Sequence, residues 1–168
     1  MPIGSFLSHF HQVKLSTADE KEYNMVINPI VKIGLLIIGI PHIGLRMRIL
    51  LIKKIAKKLS KNTLVLDAGC GYGVLSFELA KLGLSIESID FDSNRIKQVT
   101  DMTKDFPKLG KYINPHTGSV LEINCPDKKF DLTICSEVIE HLKQDGQAVK
   151  ELSRVTKSGG LVVISVPT

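Results

Sequence analysis

Two kinds of hydrophobic periodicity follow one another along the chain. From Arg46 to Leu59, apolar residues recur every three or four positions and lysines fill the other face, which predicts a basic amphipathic helix. Beyond it, short apolar runs bounded by glycine, proline or polar residues alternate with further helical stretches. The predicted strands are 63–67, 84–90, 112–117, 130–136 and 161–166, and the predicted helices are 46–59, 74–82, 93–106 and 145–157.

Alternating strands and helices predict an α/β fold. Because successive parallel strands need crossover helices, we expect a Rossmann-like, doubly wound, mostly parallel sheet with helices on both faces. Ligands in such sheets bind at the carboxyl ends of the strands, near the point where the strand order reverses. The domain is predicted to span 46–168, preceded by a polar arm over 1–24 and an apolar helical segment over 25–45 that is broken near Pro41.

A glycine-rich turn directly follows the first of these strands. Gly69, Gly71 and Gly73 can adopt backbone angles denied to other residues and allow a ligand close to the main chain. Asp90 ends the next strand, 17 residues beyond Gly73, where a carboxylate can accept hydrogen bonds from both hydroxyls of a ribose. The pattern predicts a nucleoside site, and the alternative is a tight turn with Asp90 as a helix cap.

Four segments in order give the chain a family resemblance. DAGCGYG, SIDFDSNRI, FDLTICSEVIEHL and LSRVTKSGGLVVISVP resemble the motifs of class I S-adenosylmethionine-dependent methyltransferases. The group that includes ubiquinone- and menaquinone-biosynthesis methyltransferases is the most similar, and the resemblance covers residues 46–168. It implies S-adenosylmethionine as the cofactor and is poorly specific for the methyl acceptor.

The resemblance also implies which residues bind the cofactor. Asp90 would hold the ribose hydroxyls, and Phe91 would pack on the adenine. Ser119 stands where many relatives have an Asp that recognises the adenine amino group, so recognition here is expected from backbone groups around Val120. The implied cofactor-binding residues are Asp67, Gly69, Cys70, Gly71, Gly73, Asp90, Phe91, Ser119, Val120, Ser136 and Glu137.

The expected chemistry is in-line methyl transfer to an unidentified small or lipid-like acceptor. Positioning and exclusion of water supply most of the catalysis, and a base is needed only if the acceptor must lose a proton. Glu140 and His141 are the candidates, although such a pair can equally be a helix cap and a packed polar residue. No metal site is assigned.

Two other functions remain open at this stage. Glu137, Glu140 and His141 also resemble the metal-binding motif of small-RNA 3′-terminal 2′-O-methyltransferases, where glutamates and histidines hold a divalent ion. The other possibility is a non-catalytic module that keeps the cofactor fold without turnover.

Charge is concentrated in one segment. Between Tyr23 and Leu66 there are eight Lys or Arg and no acid, although the chain has a net charge of only +5. The basic helix, over 46–61, has three interpretations: lysines left in water, contact with a membrane surface through 25–61, or RNA binding. The absence of tryptophan does not favour nucleic acid, and residues 42–46 are alternatively part of a lid over the cofactor.

The remaining expectations concern compartment and completeness. Three cysteines without a CxxC pair favour a reducing cytoplasm, and polar residues interrupt the apolar stretch 25–45 too often for a membrane span. The family fold adds a helix and two strands, the last antiparallel, after the fifth strand. Strand 161–166 is therefore expected to be an exposed apolar edge, in a fragment, in a small enzyme, or covered by a dimer mate or partner.

Overall fold

A computed structural model describes residues 14–17 and 43–166. The predictions for the rest of the arm, for the apolar segment up to residue 42 and for the last two residues lie outside these ranges. The strands are β1 Lys14–Thr17, β2 Leu64–Ala68, β3 Ser85–Asp90, β4 Ile113–Thr117, β5 Phe130–Ser136 and β6 Thr156–Ser165. The helices are α1 Ile43–Ala56, α2 Val74–Ala80, α3 Ser93–Asp105, α4 Pro107–Gly110 and α5 Asp145–Val155, with a 3₁₀ turn at Ile139–His141.

Within the described residues, these strands form a single sheet in the order β1-β6-β5-β2-β3-β4. Strands β2 to β6 are parallel, and β1 runs antiparallel to β6. From β2 the chain builds outward through β3 and β4, then returns to place β5 on the other side of β2. The carboxyl ends of β2 and β5 therefore flank the reversal of strand order, where a ligand cleft is expected.

Helices cover both faces of the sheet, which confirms the predicted fold class. On one face Val65, Leu132 and Val163 pack with Ile52 of α1 and Leu79 of α2. On the other face the alternate strand residues pack against α5. This second core contains Leu66, Ile89, Cys135, Ala148, Leu152 and Val155. Since side chains alternate across a strand, each buried strand contributes to both cores.

The amphipathic prediction for α1 is confirmed, with boundaries three residues earlier. Ile52 and Ala56 are buried, and Ile49, Ile55 and Leu59 pack partly against the same core. Lys53 reaches the α2 carboxylate of Glu78 at 2.5 Å. In the part of the chain that the structure describes, no helix is long and apolar enough to cross a membrane.

The end of α5 differs from the prediction. We expected the helix to reach Lys157 and to stop at Ser158–Gly160, but it ends at Val155 and β6 begins at once. Between the pairs Phe130–Thr156 and Leu132–Leu161, β5 advances two residues while β6 advances five. The extra residues form an irregular bulge, which Gly159 permits with a φ of 79°.

The expectation of an unpaired edge at 161–166 is also wrong. The chain supplies its own neighbour, because β1 pairs antiparallel with β6 over Leu161–Ile164. This pairing covers the edge of β6 over Leu161–Ile164 without a second copy.

Carboxylates stand at the start of two helices. Asp92 caps α3, since its Oδ1 accepts a hydrogen bond from Asn94 N at 2.9 Å. Asp145 is the first residue of α5 and follows Gln144. A carboxylate in the first turn complements the helix dipole.

Candidate functional site

One cavity of about 610 Å³ opens at the carboxyl ends of β2, β3 and β5. It brings together most of the residues predicted from the sequence. The predicted residues that line it are Asp67, Gly69, Cys70, Gly71, Asp90, Phe91, Ser119, Val120, Ser136, Glu137 and His141. Gly73 and Glu140 are adjacent in sequence to this lining but do not belong to it.

The glycine turn is held against the end of β3. The backbone N–H groups of Gly69 and Cys70 both donate to the carbonyl oxygen of Ile89, at 2.8 and 2.9 Å. At Gly69, with a φ of 81°, an added Cβ would lie 2.3 Å from a methyl of Val138. At Gly71, with a φ of 55°, an added Cβ would meet no protein atom within 4 Å and would project into open space. The missing side chain at Gly71 therefore leaves space for a ligand, whereas the missing side chain at Gly69 lets Val138 pack against the turn.

Gly73 has a different task from the other two glycines. It precedes α2 with a φ of 74°, and an added Cβ would press on the side chain of Val99 at 3.1 Å. It lets the turn enter α2 while the turn itself packs closely on Val99 of α3. Its predicted role in the cofactor site is therefore indirect, through the shape of the turn.

Asp90 is only 3% exposed, yet its carboxylate faces the cavity. Its Oδ2 accepts a hydrogen bond from Gly71 N at 2.9 Å, and its Oδ1 accepts one from Asp92 N at 3.0 Å. Each carboxylate oxygen has a second lone pair for a further donor. The arrangement fits the predicted ribose acceptor, with both oxygens fixed by backbone before a ligand arrives.

Asp67 lies deeper, at the end of β2. The Ser76 hydroxyl donates to its Oδ2 at 2.5 Å and is itself within 2.8 Å of the Ser88 hydroxyl. Burial raises the pKa of Asp67 to about 6, the Ser76 hydrogen bond opposes this rise, and the negative charge of Asp90 adds to it. A cationic ligand near this carboxyl would favour its ionised form.

Cys70 contributes an apolar wall rather than a nucleophile. Burial, reinforced by the charges of Asp67 and Asp90, raises the pKa of its thiol well above the usual range. A neutral thiol is a weak nucleophile. The three cysteines of the chain are free thiols.

The loop after β4 forms the predicted adenine side. Ser119 Oγ accepts a hydrogen bond from Leu121 N at 3.1 Å, so its hydroxyl helps to shape its own loop. Phe91 stands across the cavity with 77% of its surface exposed, as a ring available for stacking. Adenine recognition by backbone around Val120 remains a prediction.

Two charged side chains of α5, Glu151 and Arg154, fix the rest of that loop, and the sequence did not indicate this role. We call this pair the polar clamp. Glu151 Oε2 accepts a hydrogen bond from Ile123 N at 2.8 Å. The Arg154 guanidinium donates to the carbonyl oxygens of Ile123 and Cys125, at 2.7 and 3.0 Å. These backbone partners lie about 30 residues from the clamp in sequence, so local periodicity gives no signal for it.

The carboxyl end of β5 contains an unusual backbone. Glu137 has a φ of 58°, a left-handed conformation that is uncommon outside glycine, asparagine and aspartate. Its N–H donates to Ser165 O at 2.8 Å, and the Ser136 and Ser165 hydroxyls are 2.7 Å apart. The pairing with β6 therefore holds the turn in place and directs the Glu137 side chain towards the cavity. Strained residues of this kind concentrate at functional sites.

Arg48 of α1 meets this carboxylate, a second contact that the sequence did not indicate. Its Nη2 lies 3.2 Å from Glu137 Oε2. Among the described residues, neither Arg48 Nε nor Glu137 Oε1 has a hydrogen-bond partner, although both atoms are buried. Burial raises the pKa of Glu137 while Arg48 opposes the rise. Two unsatisfied atoms of opposite charge at one cavity wall fit a ligand that has both an ammonium and a carboxylate.

His141 ends the short 3₁₀ turn and lines the cavity, and 76% of its side chain is exposed. Its Nε2 lies 3.8 Å from Glu140 Oε1, whereas Glu137 pairs with Arg48. In the described parts of the chain, no group of three or more His, Cys, Asp or Glu is close enough to hold a metal ion. The convergence of Glu137, Glu140 and His141 that the RNA-methyltransferase interpretation requires is not observed.

The geometry agrees with comparison to known proteins. A family model described as a methyltransferase domain matches residues 66–164, which include the glycine turn, Asp90 and the end of β5. The chain belongs to this family. S-adenosylmethionine is the cofactor that membership of the methyltransferase family implies.

The chain is also similar to individual curated proteins. The chain is 33% identical over 113 residues to a ubiquinone biosynthesis O-methyltransferase of Rickettsia conorii, a match that covers 67% of this chain and 37% of that protein. The chain thus spans less than half the length of this curated relative.

Two solved structures share the fold of the methyltransferase domain. The YcgJ protein of Bacillus subtilis superposes with a TM-score of 0.66 at 20% identity, over 71% of this chain and 50% of that one. The [4+2]-cyclase SpnF superposes with a TM-score of 0.63 at 20% identity, over 67% and 43%. Because a cyclase has the same fold, the reaction must be argued from the site.

The residues of this methyltransferase domain fit the implied cofactor in two independent ways. Asp90 offers acceptors to a ribose beside a turn where Gly71 leaves space for it. Arg48 Nε and Glu137 Oε1 offer complementary charges to the amino acid part of the cofactor. The cavity of about 610 Å³ is in the range usual for small-molecule sites.

Proposed function

We propose that this chain is an S-adenosylmethionine-dependent methyltransferase that methylates a hydroxyl oxygen of a small or lipid-like acceptor. The observation that supports this most directly is a cavity that joins the ribose acceptor Asp90 to Glu137 and His141 at the end of β5. The relative from Rickettsia conorii is named for ubiquinone biosynthesis and O-methylation. We extend that chemistry to a phenolic hydroxyl on a quinone-like ring.

The walls of the cavity suit such an acceptor. Apolar side chains form the part of the lining between α1 and the 3₁₀ turn, and their distribution favours a flat ring or an apolar tail. These residues are Leu45, Ile49, Ile52, Val138 and Leu142. Apolar walls with a few polar groups are typical of sites that bind small organic molecules, and they exclude water from the reacting atoms.

The residues of the chain then act by positioning and by proton transfer. When bound, the cofactor would supply a methyl carbon made electrophilic by its positively charged sulfur, and this sulfur would leave with the electron pair as the acceptor oxygen takes the methyl group. The imidazole of His141 takes the proton of the acceptor hydroxyl, and Glu140, 3.8 Å away, stabilises the imidazolium that results. The exposure of His141 lets it release this proton to solvent.

Methyl transfer to catechol-type acceptors tests the proposal. We expect transfer by the native chain, and a decrease in kcat of about 100-fold for His141→Asn with the cofactor Kd unchanged. The matched control is His116→Asn, since His116 is an exposed histidine on β4 outside the cavity, and this variant should keep full activity.

Three results would contradict the proposal. Equal rates for His141→Asn and the native chain would remove His141 as the base. Cofactor binding without transfer to any hydroxyl acceptor would favour the non-catalytic module. Methylation of an RNA 3′ end, stimulated by a divalent cation, would favour the metal-dependent RNA enzyme.

A further inference from the structure

Helix α1 has a second, outward face that the cavity does not use. Arg46, Leu50 and Lys54 are exposed, and their spacing of four residues places them on one side of the helix. The exposed Lys57 and Lys58 follow in the turn directly after Ala56. Leu50 has 59% of its surface exposed. An apolar side chain is therefore presented to solvent in the middle of a row of cations.

The charge of this face is unbalanced. The sequence has no acid between Tyr23 and Leu66. Arg48 and Lys53 are neutralised by Glu137 and Glu78 on the inner side of the helix. The remaining cations of residues 43–61, the described part of this stretch, form no ion pair with any residue that the structure describes. They are Arg46, Lys54, Lys57, Lys58 and Lys61.

These features match the chemistry of an anionic bilayer surface. Lysines on a helix are attracted to acidic headgroups, and an apolar side chain between them can enter the boundary with the acyl chains. Single-stranded nucleic acid fits less well, because its bases bind best on aromatic side chains and α1 contains none. The segment that precedes α1 in sequence, 33–40, is uncharged and apolar, which suits the same environment.

We propose that the outward face of α1, defined by Arg46, Leu50 and Lys54 together with Lys57 and Lys58 in the turn that follows the helix, docks the protein on an anionic lipid bilayer. The inner face of the same helix lines the cavity through Leu45, Arg48 and Ile49. Docking would therefore place the helix that forms one wall of the cavity on the lipid surface. The docking proposal does not depend on methyl transfer, and its test measures binding alone.

Co-sedimentation with vesicles tests the proposal. The full chain is mixed with vesicles of phosphatidylcholine alone or of phosphatidylcholine with phosphatidylglycerol, and we expect salt-sensitive binding to the second kind. The triple variant Lys54→Gln/Lys57→Gln/Lys58→Gln should bind about 100-fold more weakly, because each lysine near an anionic surface contributes about fivefold. Leu50→Gln should reduce binding about tenfold.

A matched control separates this face from net charge. Lys104→Gln/Lys108→Gln/Lys150→Gln removes three exposed lysines from α3, α4 and α5 and should change binding by no more than about twofold. The proposal is overturned if the control weakens binding as much as the α1 variant does, or if both kinds of vesicle bind equally or not at all. Tighter binding to a short RNA than to anionic vesicles at the same salt concentration, lost with the α1 lysines, would assign the face to nucleic acid instead.

Discussion

The two ends of the cavity are built in different ways. At the end formed by β2 and β3, buried polar groups have partners: Asp90 accepts two backbone N–H groups, and Asp67 accepts the Ser76 hydroxyl. At the end formed by β5, Glu137 has a left-handed backbone, and one of its carboxylate oxygens is buried without a partner among the described residues.

This difference indicates how each end meets its ligand. Groups that are already hydrogen-bonded lose little freedom on binding. The end formed by β2 and β3 is therefore preorganised for the part of the ligand that does not react. An unsatisfied buried atom costs free energy until a ligand supplies its partner. The end at β5 is therefore less stable alone and gains more from the ligand.

The largest effect is expected from the glycine turn. Gly69→Ala should lower the free energy of unfolding by about 3 to 4 kcal/mol, since the left-handed φ and the contact with Val138 both become unfavourable. Gly71→Ala should cost only about 1 kcal/mol of stability but weaken S-adenosylmethionine binding about tenfold or more, because Gly71 lines the cavity and an added methyl would take up free space beside it. Urea denaturation and calorimetry measure the two effects. Equal losses of stability in the two variants would contradict the account of the turn.

The next largest effect is expected in the pH dependence of the free energy of unfolding, through Asp67. The pKa of the Asp67 carboxyl is about 6 in the folded chain against 3.8 for a solvated aspartate, so between these values the folded state binds more protons than the unfolded state. Stability from this group is therefore present at low pH and is lost as pH rises, by about 3 kcal/mol in all. In urea denaturation from about pH 4 to about pH 7, which covers most of this range, the free energy of unfolding of the native chain should fall by about 2 kcal/mol relative to that of Asp67→Asn. If the difference in unfolding free energy between the native chain and Asp67→Asn does not change with pH, the pKa of Asp67 is not raised by burial.

Asp90 should combine a loss of binding with a moderate loss of stability. Asp90→Ala removes the predicted acceptor of both ribose hydroxyls, and we expect the Kd for S-adenosylmethionine to rise about 100-fold. It also leaves Gly71 N and Asp92 N without an acceptor, at a cost of about 2 kcal/mol in unfolding free energy. Asp92→Ala is the control, because it removes a helix cap worth about 1 kcal/mol but should leave the Kd nearly unchanged. An unchanged Kd in Asp90→Ala would mean that the ribose lies elsewhere.

The smallest effect on stability is expected at the β5 end. Asparagine tolerates the left-handed backbone better than glutamate, and the partly exposed ion pair with Arg48 contributes little. Glu137→Asn should therefore change the free energy of unfolding by no more than about 1 kcal/mol while methyl transfer falls about tenfold or more. A loss of stability as large as that of Asp90→Ala would show that Glu137 is mainly structural.

The sequence predicts best what local pattern determines. Strand β5, the glycine turn and Asp90 at the end of β3 are all visible as short motifs, and the structure places them where the pattern indicates. Periodicity likewise identifies the buried side of α1 through Ile52 and Ala56.

The features that the sequence missed depend on distant contacts. Arg48 has the composition of a surface residue, and only the fold brings it to Glu137, 89 positions later. The Arg154 clamp and the pairing of β1 with β6 also join segments that no local window contains. The bulge in β6 was mistaken for a helix stop because Ser158-Gly159-Gly160 has the composition of a turn.

The central claim is that this cavity binds S-adenosylmethionine, and calorimetric titration tests it most directly because the chain has no tryptophan to report binding by fluorescence. The account predicts saturable binding of one S-adenosylmethionine or one S-adenosylhomocysteine per chain, weakened in Gly71→Ala while that variant stays folded. Absence of binding by a folded, monodisperse native chain would contradict it.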